Sequence, residues 1–295
     1  MPDGRDCHLD EARRVLQDPE FGRGQVAPAA VEFDGPNIFH FASPRPCDHA
    51  VNNIVPGRLY PCGTDWRARP VVLLLHGWND ALNHVYYFPR HARRLNRLGL
   101  SAVTIQLPWQ FDRYPRGLGG WGNFLSADLL HTVEGALQAL AEARALVQWL
   151  RAQGCPFVGI WGVSLGAWLA GLAICHDRLI DAAALVTPVA RVDHLIAEAK
   201  FCGPIRRALQ DASVPVERLN LFSHVPMIDK SRILLIEGEH DVFVAKEDVE
   251  ELWRAWGHPE IWRHRSGHIS VLVVPRLAGR MARWMAAKAS EPVVK

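Results

Sequence analysis

The feature that most constrains the fold of this chain is a series of short, uninterrupted apolar runs separated by helical stretches. In Val71–Leu75, for example, five apolar residues follow one another without a polar break. Such a run is typical of a strand buried on both faces of a parallel sheet. Further strands are predicted at residues 100–107, 157–161, 182–186, 232–237 and 260–265. Because helical patterns lie between these strands, the sequence predicts an α/β fold with one mainly parallel sheet.

The predicted helices fill the segments between the strands. The longest covers residues 126–153, with Ser126 as its N-cap and Gly154 as its stop. The others are predicted at residues 85–98, 165–175, 247–256 and 274–288.

The regular alternation breaks down at about 190–230, where a Gly-Pro pair and two further prolines divide the chain into short pieces. We predict that this segment is a cap insertion that covers a cleft with its apolar residues, which are Leu219, Leu221, Phe222, Val225 and Met227. The predicted organisation is an N-terminal arm with edge strands over 1–67, a catalytic domain over 68–288 that contains the cap, and a tail over 289–295.

Composition narrows the classes of function. Hydrophobic residues make up 49% and charged residues 22%, which are ordinary values for a globular protein and argue against disordered and fibrous classes. The 33 basic and 31 acidic side chains leave a net charge of +2. We therefore expect neither a nucleic acid nor an anionic membrane surface as a partner.

The N-terminal segment and the cysteines bear on location. The chain begins with charged residues where a signal peptide needs an apolar core, so we expect a cytoplasmic protein. The uncharged run 157–175 contains four glycines and is predicted to be a buried strand, turn and helix rather than a membrane span. The six cysteines form no C-x-x-C pair, so we expect reduced thiols with no metal and no cofactor, although Cys47 and Cys62 could pair in an oxidising compartment.

The motif with most chemical content is Gly162-Val163-Ser164-Leu165-Gly166, which lies between a predicted strand and a predicted helix. In that context G-x-S-x-G forms a sharp turn that projects the serine hydroxyl from the end of the sheet. The small residues on either side avoid clashes with neighbouring backbone, and the helix N-terminus favours negative charge at the site. We therefore predict that Ser164 is a nucleophile.

A serine nucleophile needs a base and an orienting acid. In proteins with this strand–turn–helix motif, the acid follows the serine in the sequence and the histidine follows the acid. Asp241 lies just beyond the strand 232–237, at the carboxyl edge where α/β sheets place their sites. Glu237, Glu239 and above all Asp193 are the competing acids.

Among fourteen histidines, His268 has the best position for the base, because it lies between the last predicted strand and the last helix. His264 falls within that strand and His258 precedes it. We predict that His268 is the general base and acid, oriented by Asp241.

A further motif, Leu75-His76-Gly77-Trp78, follows the first apolar strand. The oxyanion of a tetrahedral intermediate needs two backbone N–H groups that point at it before reaction. We predict that Leu165 and Trp78 supply them. His76 is interpreted as a residue that braces the loop rather than as a base.

Together these motifs resemble those of the α/β-hydrolase family of serine esterases, lipases and related acyl hydrolases, over about residues 68–288. The resemblance implies an eight-stranded, mostly parallel sheet. It also implies a Ser164–His268–Asp241 triad. Because Gly77 is followed by Trp78, the oxyanion motif is similar to the short H-G-x form rather than to HGGG.

The substrate pocket is predicted from aromatic residues in loops. The segment 107–124 follows a strand at its carboxyl end and contains Trp109 and Trp121, which with Trp168 and Trp78 are candidates for an apolar wall. Arg113 and Arg116 are candidates for binding an acidic group.

The leading hypothesis is hydrolysis of a small-molecule ester with a short to medium acyl chain through an acyl-enzyme. The same triad could act on peptides, thioesters, lactones or C–C bonds. A catalytically silent binding scaffold is a third possibility, which the complete set of triad residues disfavours.

Overall fold

A computed structural model describes residues 4–115, 124–209 and 213–292 of the chain. Its strands are β1 (Glu32–Phe33), β2 (Ile38–Ala42), β3 (Ile54–Tyr60), β4 (Val71–Leu75), β5 (Ser101–Ile105), β6 (Val158–Val163), β7 (Ala182–Val186), β8 (Ile233–Gly238) and β9 (Glu260–His264). Its α-helices are α1 (Gly4–Gln17), α2 (Phe88–Asn96), α3 (Leu129–Ala152), α4 (Leu165–His176), α5 (Val192–Glu198), α6 (Gly203–Leu209), α7 (Lys246–Ala255) and α8 (Leu277–Ser290).

The described strands form one sheet in the order β1-β2-β3-β5-β4-β6-β7-β8-β9. The six strands from β5 to β9 run parallel, and β1, β2 and β3 extend one edge with antiparallel pairing. The predicted α/β class is confirmed. The sheet has nine strands rather than eight, because the turn at 34–37 folds the first edge segment into a hairpin with a two-residue strand.

The uninterrupted apolar strands are buried because helices cover both faces of the sheet. In β4, Leu73 and Leu75 face a core that includes α3 and α4, whereas Val72 and Leu74 face the core formed with α2 and α8. Successive side chains of a strand point to opposite faces, so a strand buried on both sides carries no polar alternation.

The start of α3 differs from the prediction. The helix begins at Leu129, and the side chain of Asp128 accepts a hydrogen bond from the N–H of Leu130. Asp128 is therefore the N-cap, and the predicted cap Ser126 lies in the preceding turn, where its hydroxyl accepts from the N–H of Asp128. The predicted stop is present, since Gly154 has a φ of 101° just beyond the helix.

The segment predicted as a cap divides into two halves with different roles. The first half contains α5 and α6. In the second half, Leu219 and Leu221 are fully buried and belong to the main core, whereas Val225 and Met227 are exposed. The prediction that all of these residues cover a cleft is therefore wrong for the second half. Because Leu219 and Leu221 are buried in the main core, the second half of the segment packs as part of the main domain.

Two further sequence expectations concern thiols and membranes. Cys47 and Cys62 are both free thiols. Within the described ranges, no helix combines the length and apolar character needed to cross a membrane.

Candidate active site

Ser164 occupies the sharp turn between β6 and α4. Its backbone has a φ of 52° and a ψ of −114°, a conformation that non-glycine residues rarely adopt. A Cβ at Gly162 would overlap the backbone of Gly166, and one at Gly166 would overlap the carbonyl group of Leu75. Both glycines are thus required by close backbone approach. The N–H of Ser164 donates to the carbonyl oxygen of Val186, 2.8 Å away, which anchors the turn to β7.

Two loops at the same edge of the sheet bring His268 and Asp241 to this serine. Oγ of Ser164 is 2.8 Å from Nε2 of His268, and Nδ1 of His268 is 2.6 Å from Oδ2 of Asp241. The other carboxylate oxygen of Asp241 accepts from the N–H groups of Phe243 and Val244, at 2.8 and 2.9 Å. With Nδ1 donating to Asp241, Nε2 can accept the proton of the serine hydroxyl.

The competing acids lie in other environments. Asp193 forms an ion pair with Arg191 at 2.7 Å, and Glu239 lies at the surface 3.9 Å from Arg265. Glu237 is buried at the end of β8, and burial raises the pKa of its carboxyl group. The geometry brings Asp241, and none of these three, into hydrogen-bond contact with His268 among the described residues.

The loop after β4 packs directly against the serine. A Cβ placed on Gly77 would be 3.5 Å from Cβ of Ser164. His76 is fully buried, and its Nε2 accepts from the N–H of Leu107 at 3.0 Å while its Nδ1 donates to the carbonyl oxygen of Gly77 at 2.8 Å. Burial lowers the pKa of His76 to about 3, so the ring is neutral near pH 7. This geometry fits a bracing role.

Gln110 supports the same loop and gave no signal in the sequence. The N–H of Asn79, a residue with a φ of 51°, donates to Oε1 of Gln110 at 2.6 Å. Gln110 is fully buried. Its amide therefore holds the backbone one residue beyond Trp78 in a left-handed conformation. Because Gln110 lies 31 residues from Asn79 in the sequence, no local sequence pattern indicates this contact.

A cavity of about 520 Å³ opens above the serine. It is lined mainly by apolar side chains, and two predicted pocket residues, Trp78 and Trp168, are among them. The others include Leu82, Leu125, Val189, Val192, Leu195, Phe201, Phe243, Ile269, Leu272 and Val273. Phe201 and Phe243 were missed by the sequence analysis because they lie in loops that carry no motif. The ring N–H of Trp168 donates to the carbonyl oxygen of Leu219 at 2.8 Å, which fixes this part of the wall.

Two other predicted pocket residues have different outcomes. Trp109 is buried against α3, with its ring 4.3 Å from that of His131 and in contact with Gly135, and it does not line the cavity. Its φ of 61° places its backbone in the left-handed region. Trp121 lies outside the described residues.

The predicted acid-binding arginines do not supply a charge to the cavity in the described part of the chain. Arg113 is fully buried and forms a bidentate ion pair with Glu142, at 2.6 and 2.7 Å. Arg116 lies outside the described residues. Neither lysine nor arginine occurs among the described residues that line the cavity, which include one carboxyl side chain, that of Asp80, and one imidazole, that of His268.

No group of three His, Cys, Asp or Glu side chains in the described ranges could hold a metal ion.

Comparison with protein families and curated proteins adds a sequence relationship. A family model described as serine hydrolase (FSH1) matches residues 119–279. A protein of Mycobacterium tuberculosis, described only as uncharacterized, is 31% identical over 208 residues, which cover 68% of this chain and 50% of the relative. The chain thus spans about half the length of this curated relative.

Solved structures show the same fold at low identity. An esterase of Pyrococcus furiosus has a TM-score of 0.60 and 17% identity, with 90% of this chain and 100% of that chain covered. Est1E from Butyrivibrio proteoclasticus has a TM-score of 0.59 and 12% identity, with coverage of 87% and 100%. A 2,6-dihydroxy-pseudo-oxynicotine hydrolase has a TM-score of 0.59 and 14% identity, with coverage of 89% and 68%. These matches show an α/β-hydrolase fold, as predicted.

Proposed function

The chain belongs to the FSH1 serine hydrolase family, and on that premise we propose that it hydrolyses carboxylic esters through an acyl-enzyme formed on Ser164. The observation that carries the proposal is the hydrogen-bond chain from Ser164 through His268 to Asp241 at the base of an apolar cavity. This arrangement activates a hydroxyl that is a poor nucleophile on its own.

Acylation begins when Oγ of Ser164 attacks the ester carbonyl carbon and its proton passes to Nε2 of His268. Asp241 stabilises the resulting imidazolium and keeps its ring in the orientation that faces the serine. Its own carboxylate is held by the two backbone donors of the following loop, so it needs little reorganisation during the reaction. The tetrahedral intermediate collapses when the C–O bond to the alcohol breaks, and His268 returns the proton to the leaving oxygen.

The developing oxyanion is stabilised by the backbone N–H groups of Leu165 and Trp78. Leu165 is the first residue of α4, so the helix N-terminus also favours negative charge there. The close approach of Gly77 to Ser164 supports the assignment of Trp78, the next residue. One such donor typically contributes about 10²- to 10³-fold in kcat.

Deacylation repeats these steps with water. His268 takes a proton from a water molecule as its oxygen attacks the acyl carbon, and the second tetrahedral intermediate collapses by breaking the bond to Oγ of Ser164. The proton returns to that oxygen and the carboxylic acid leaves. One ester and one water thus give one acid and one alcohol.

The chemistry of the cavity favours a neutral acyl group of short to medium length. Its wall is mainly apolar, and Asp80, a carboxylate, would repel an acyl group that ends in a second carboxylate. A volume of about 520 Å³ suits a small-molecule substrate.

The proposal is tested by a panel of 4-nitrophenyl esters of two to twelve carbons, assayed beside peptide, thioester and lactone substrates, with Ser164→Ala as the matched inactive variant. We expect kcat/KM to be highest for neutral esters and to vanish in the variant. Preferential turnover of peptides or lactones would overturn the ester assignment. Lack of turnover and of covalent labelling in the wild type would instead indicate a silent scaffold.

A further inference from the structure

The wall of the cavity continues onto the surface of the molecule. Five of the apolar side chains that line it are themselves exposed. They are Leu82, Phe201, Phe243, Ile269 and Val273.

Three more exposed apolar side chains adjoin these in sequence. Val85 and Tyr86 follow Leu82 by one turn, with Val85 72% exposed, and Val242, 86% exposed, precedes Phe243. We call these eight residues the apolar collar. Charged side chains border it, since Lys200 is exposed beside Phe201 and the guanidinium of Arg90 lies over the ring of Tyr86 at 3.3 Å.

Aromatic contacts join the collar to the base of the cavity. The ring of Phe201 is 5.2 Å from that of Trp78 and 6.2 Å from that of Phe243, and Phe243 is 5.2 Å from the ring of His268. An apolar molecule that touches the collar therefore has a continuous apolar surface leading to the serine.

The position of the collar limits what can cover it during turnover. Exposed apolar side chains grouped beside a cavity mark an interaction site. A protein partner or a second copy of this chain seated on the collar would obstruct the entrance to the serine. An aggregated ester would cover the collar and also supply the acyl chain to the cavity.

We propose that the apolar collar docks the protein onto neutral aggregates of its ester substrate, such as micelles or lipid surfaces, so that the natural substrates are water-insoluble esters. This inference rests on the proposed ester hydrolysis. Docking buries the collar, and each side chain of this size contributes in proportion to the apolar area removed from water.

The test uses Val85→Asp, with Val225→Asp as its matched control. Both valines are exposed, at 72% and 83%, but Val225 lies outside the collar, and neither lines the cavity. Sedimentation with phosphatidylcholine vesicles measures docking, and hydrolysis of 4-nitrophenyl decanoate dispersed in those vesicles measures its consequence. Monomeric 4-nitrophenyl butanoate reports the basal activity.

We expect wild type and Val225→Asp to bind the vesicles equally, and Val85→Asp to bind at least about tenfold more weakly, with a matching loss on the dispersed ester. Val242→Ser, which adds no charge beside Asp241, should give a smaller loss. Activity on the monomeric ester should stay within about twofold of wild type in Val85→Asp and Val225→Asp.

Absence of vesicle binding by the wild type, or equal binding by Val85→Asp and Val225→Asp, would overturn the inference. So would a stable dimer in light scattering that Val85→Asp dissociates. Vesicle binding does not depend on turnover, so it still decides the inference if no ester is hydrolysed, in which case the proposed function alone fails.

Discussion

At the scale of single residues, the geometry of the proposed triad depends on backbone donors as much as on side chains. Asp241 has one oxygen on His268 and the other on the N–H groups of Phe243 and Val244. The loop after β8 thus fixes the carboxylate before it orients the imidazole.

Asp241→Asn should lower kcat by about 10⁴ with a smaller effect on KM, because the amide holds the wrong histidine tautomer and no longer stabilises the imidazolium. Steady-state kinetics on a 4-nitrophenyl ester measure this. Asp193→Asn is the control, since Asp193 is paired with Arg191 instead, and it should retain nearly full activity. If Asp193→Asn were the crippling change and Asp241→Asn mild, the orienting acid would have to be reassigned.

The candidate triad residues could be named from the sequence because their positions follow from topology. Ser164, Asp241 and His268 each lie just beyond a strand of a parallel sheet, whose carboxyl ends share one edge. Trp109 also follows a strand, but its backbone has a φ of 61° and its ring is buried against α3. A single left-handed residue of this kind has no sequence signature when it is not glycine or asparagine.

At the scale of elements, the insertion differed most from expectation. The Cβ of an alanine at Gly171, within α4, would be 2.8 Å from a methyl group of Leu221. Leu221 therefore packs against α4 at Gly171, a residue that has no side chain. Strands β4 and β7 could be predicted to the residue because burial on both faces leaves a pattern. The contact between Leu221 and Gly171 joins residues that lie 50 positions apart, and it leaves no pattern in the sequence.

Helix α5 lines the cavity through Val192 and Leu195, beside Phe201 of the same insertion. Leu195→Ala should move the peak of kcat/KM toward longer acyl chains, because it enlarges the space above the serine. The measurement is the chain-length profile with 4-nitrophenyl esters.

Ile196→Val is the control for this change. Ile196 is buried on another side of α5 and does not line the cavity, so the variant should lose about 0.5–1.5 kcal/mol of stability and keep the wild-type profile. An unchanged profile in Leu195→Ala, or an equal shift in Ile196→Val, would show that α5 does not set the acyl preference.

At the scale of the whole molecule, buried histidines should make stability depend on pH. Burial lowers the pKa of His76 and His176 to about 3 and that of His91 to about 4. In an unfolded chain these groups titrate near pH 6.5. Their contribution to stability is therefore complete above pH 6.5, and it is lost as the pH falls toward 4, because the unfolded chain binds more protons.

His91→Phe isolates one of these groups. The His91 ring stacks on Trp161 at 5.0 Å, and its Nδ1 is buried with no partner in the described structure, so phenylalanine keeps the stacking and removes the titration. Between pH 7 and pH 5 the wild type should lose about 2 kcal/mol more unfolding free energy than the variant. Urea denaturation at both pH values measures the difference. An equal loss in the two proteins would show that His91 is protonated in the folded state.

The charge balance predicted that no nucleic acid is a partner, and the charged N-terminal segment predicted a cytoplasmic location; both stay predictions. At this scale the α/β-hydrolase fold could be predicted from the sequence. The order of strands and helices indicated an α/β sheet, and the motifs resembled those of that family. The shape of the cavity and its collar could not be predicted, because both arise where loops from distant parts of the chain meet.

The proposed role of Ser164 as the nucleophile can be tested by covalent labelling with a fluorophosphonate probe. We predict one adduct per chain in the wild type, on the peptide that contains Ser164, and none in Ser164→Ala. Ester turnover should fall by about 10⁴- to 10⁶-fold in that variant, while circular dichroism shows an intact fold. Labelling that persists in Ser164→Ala, or near-normal hydrolysis by that variant, would contradict the account.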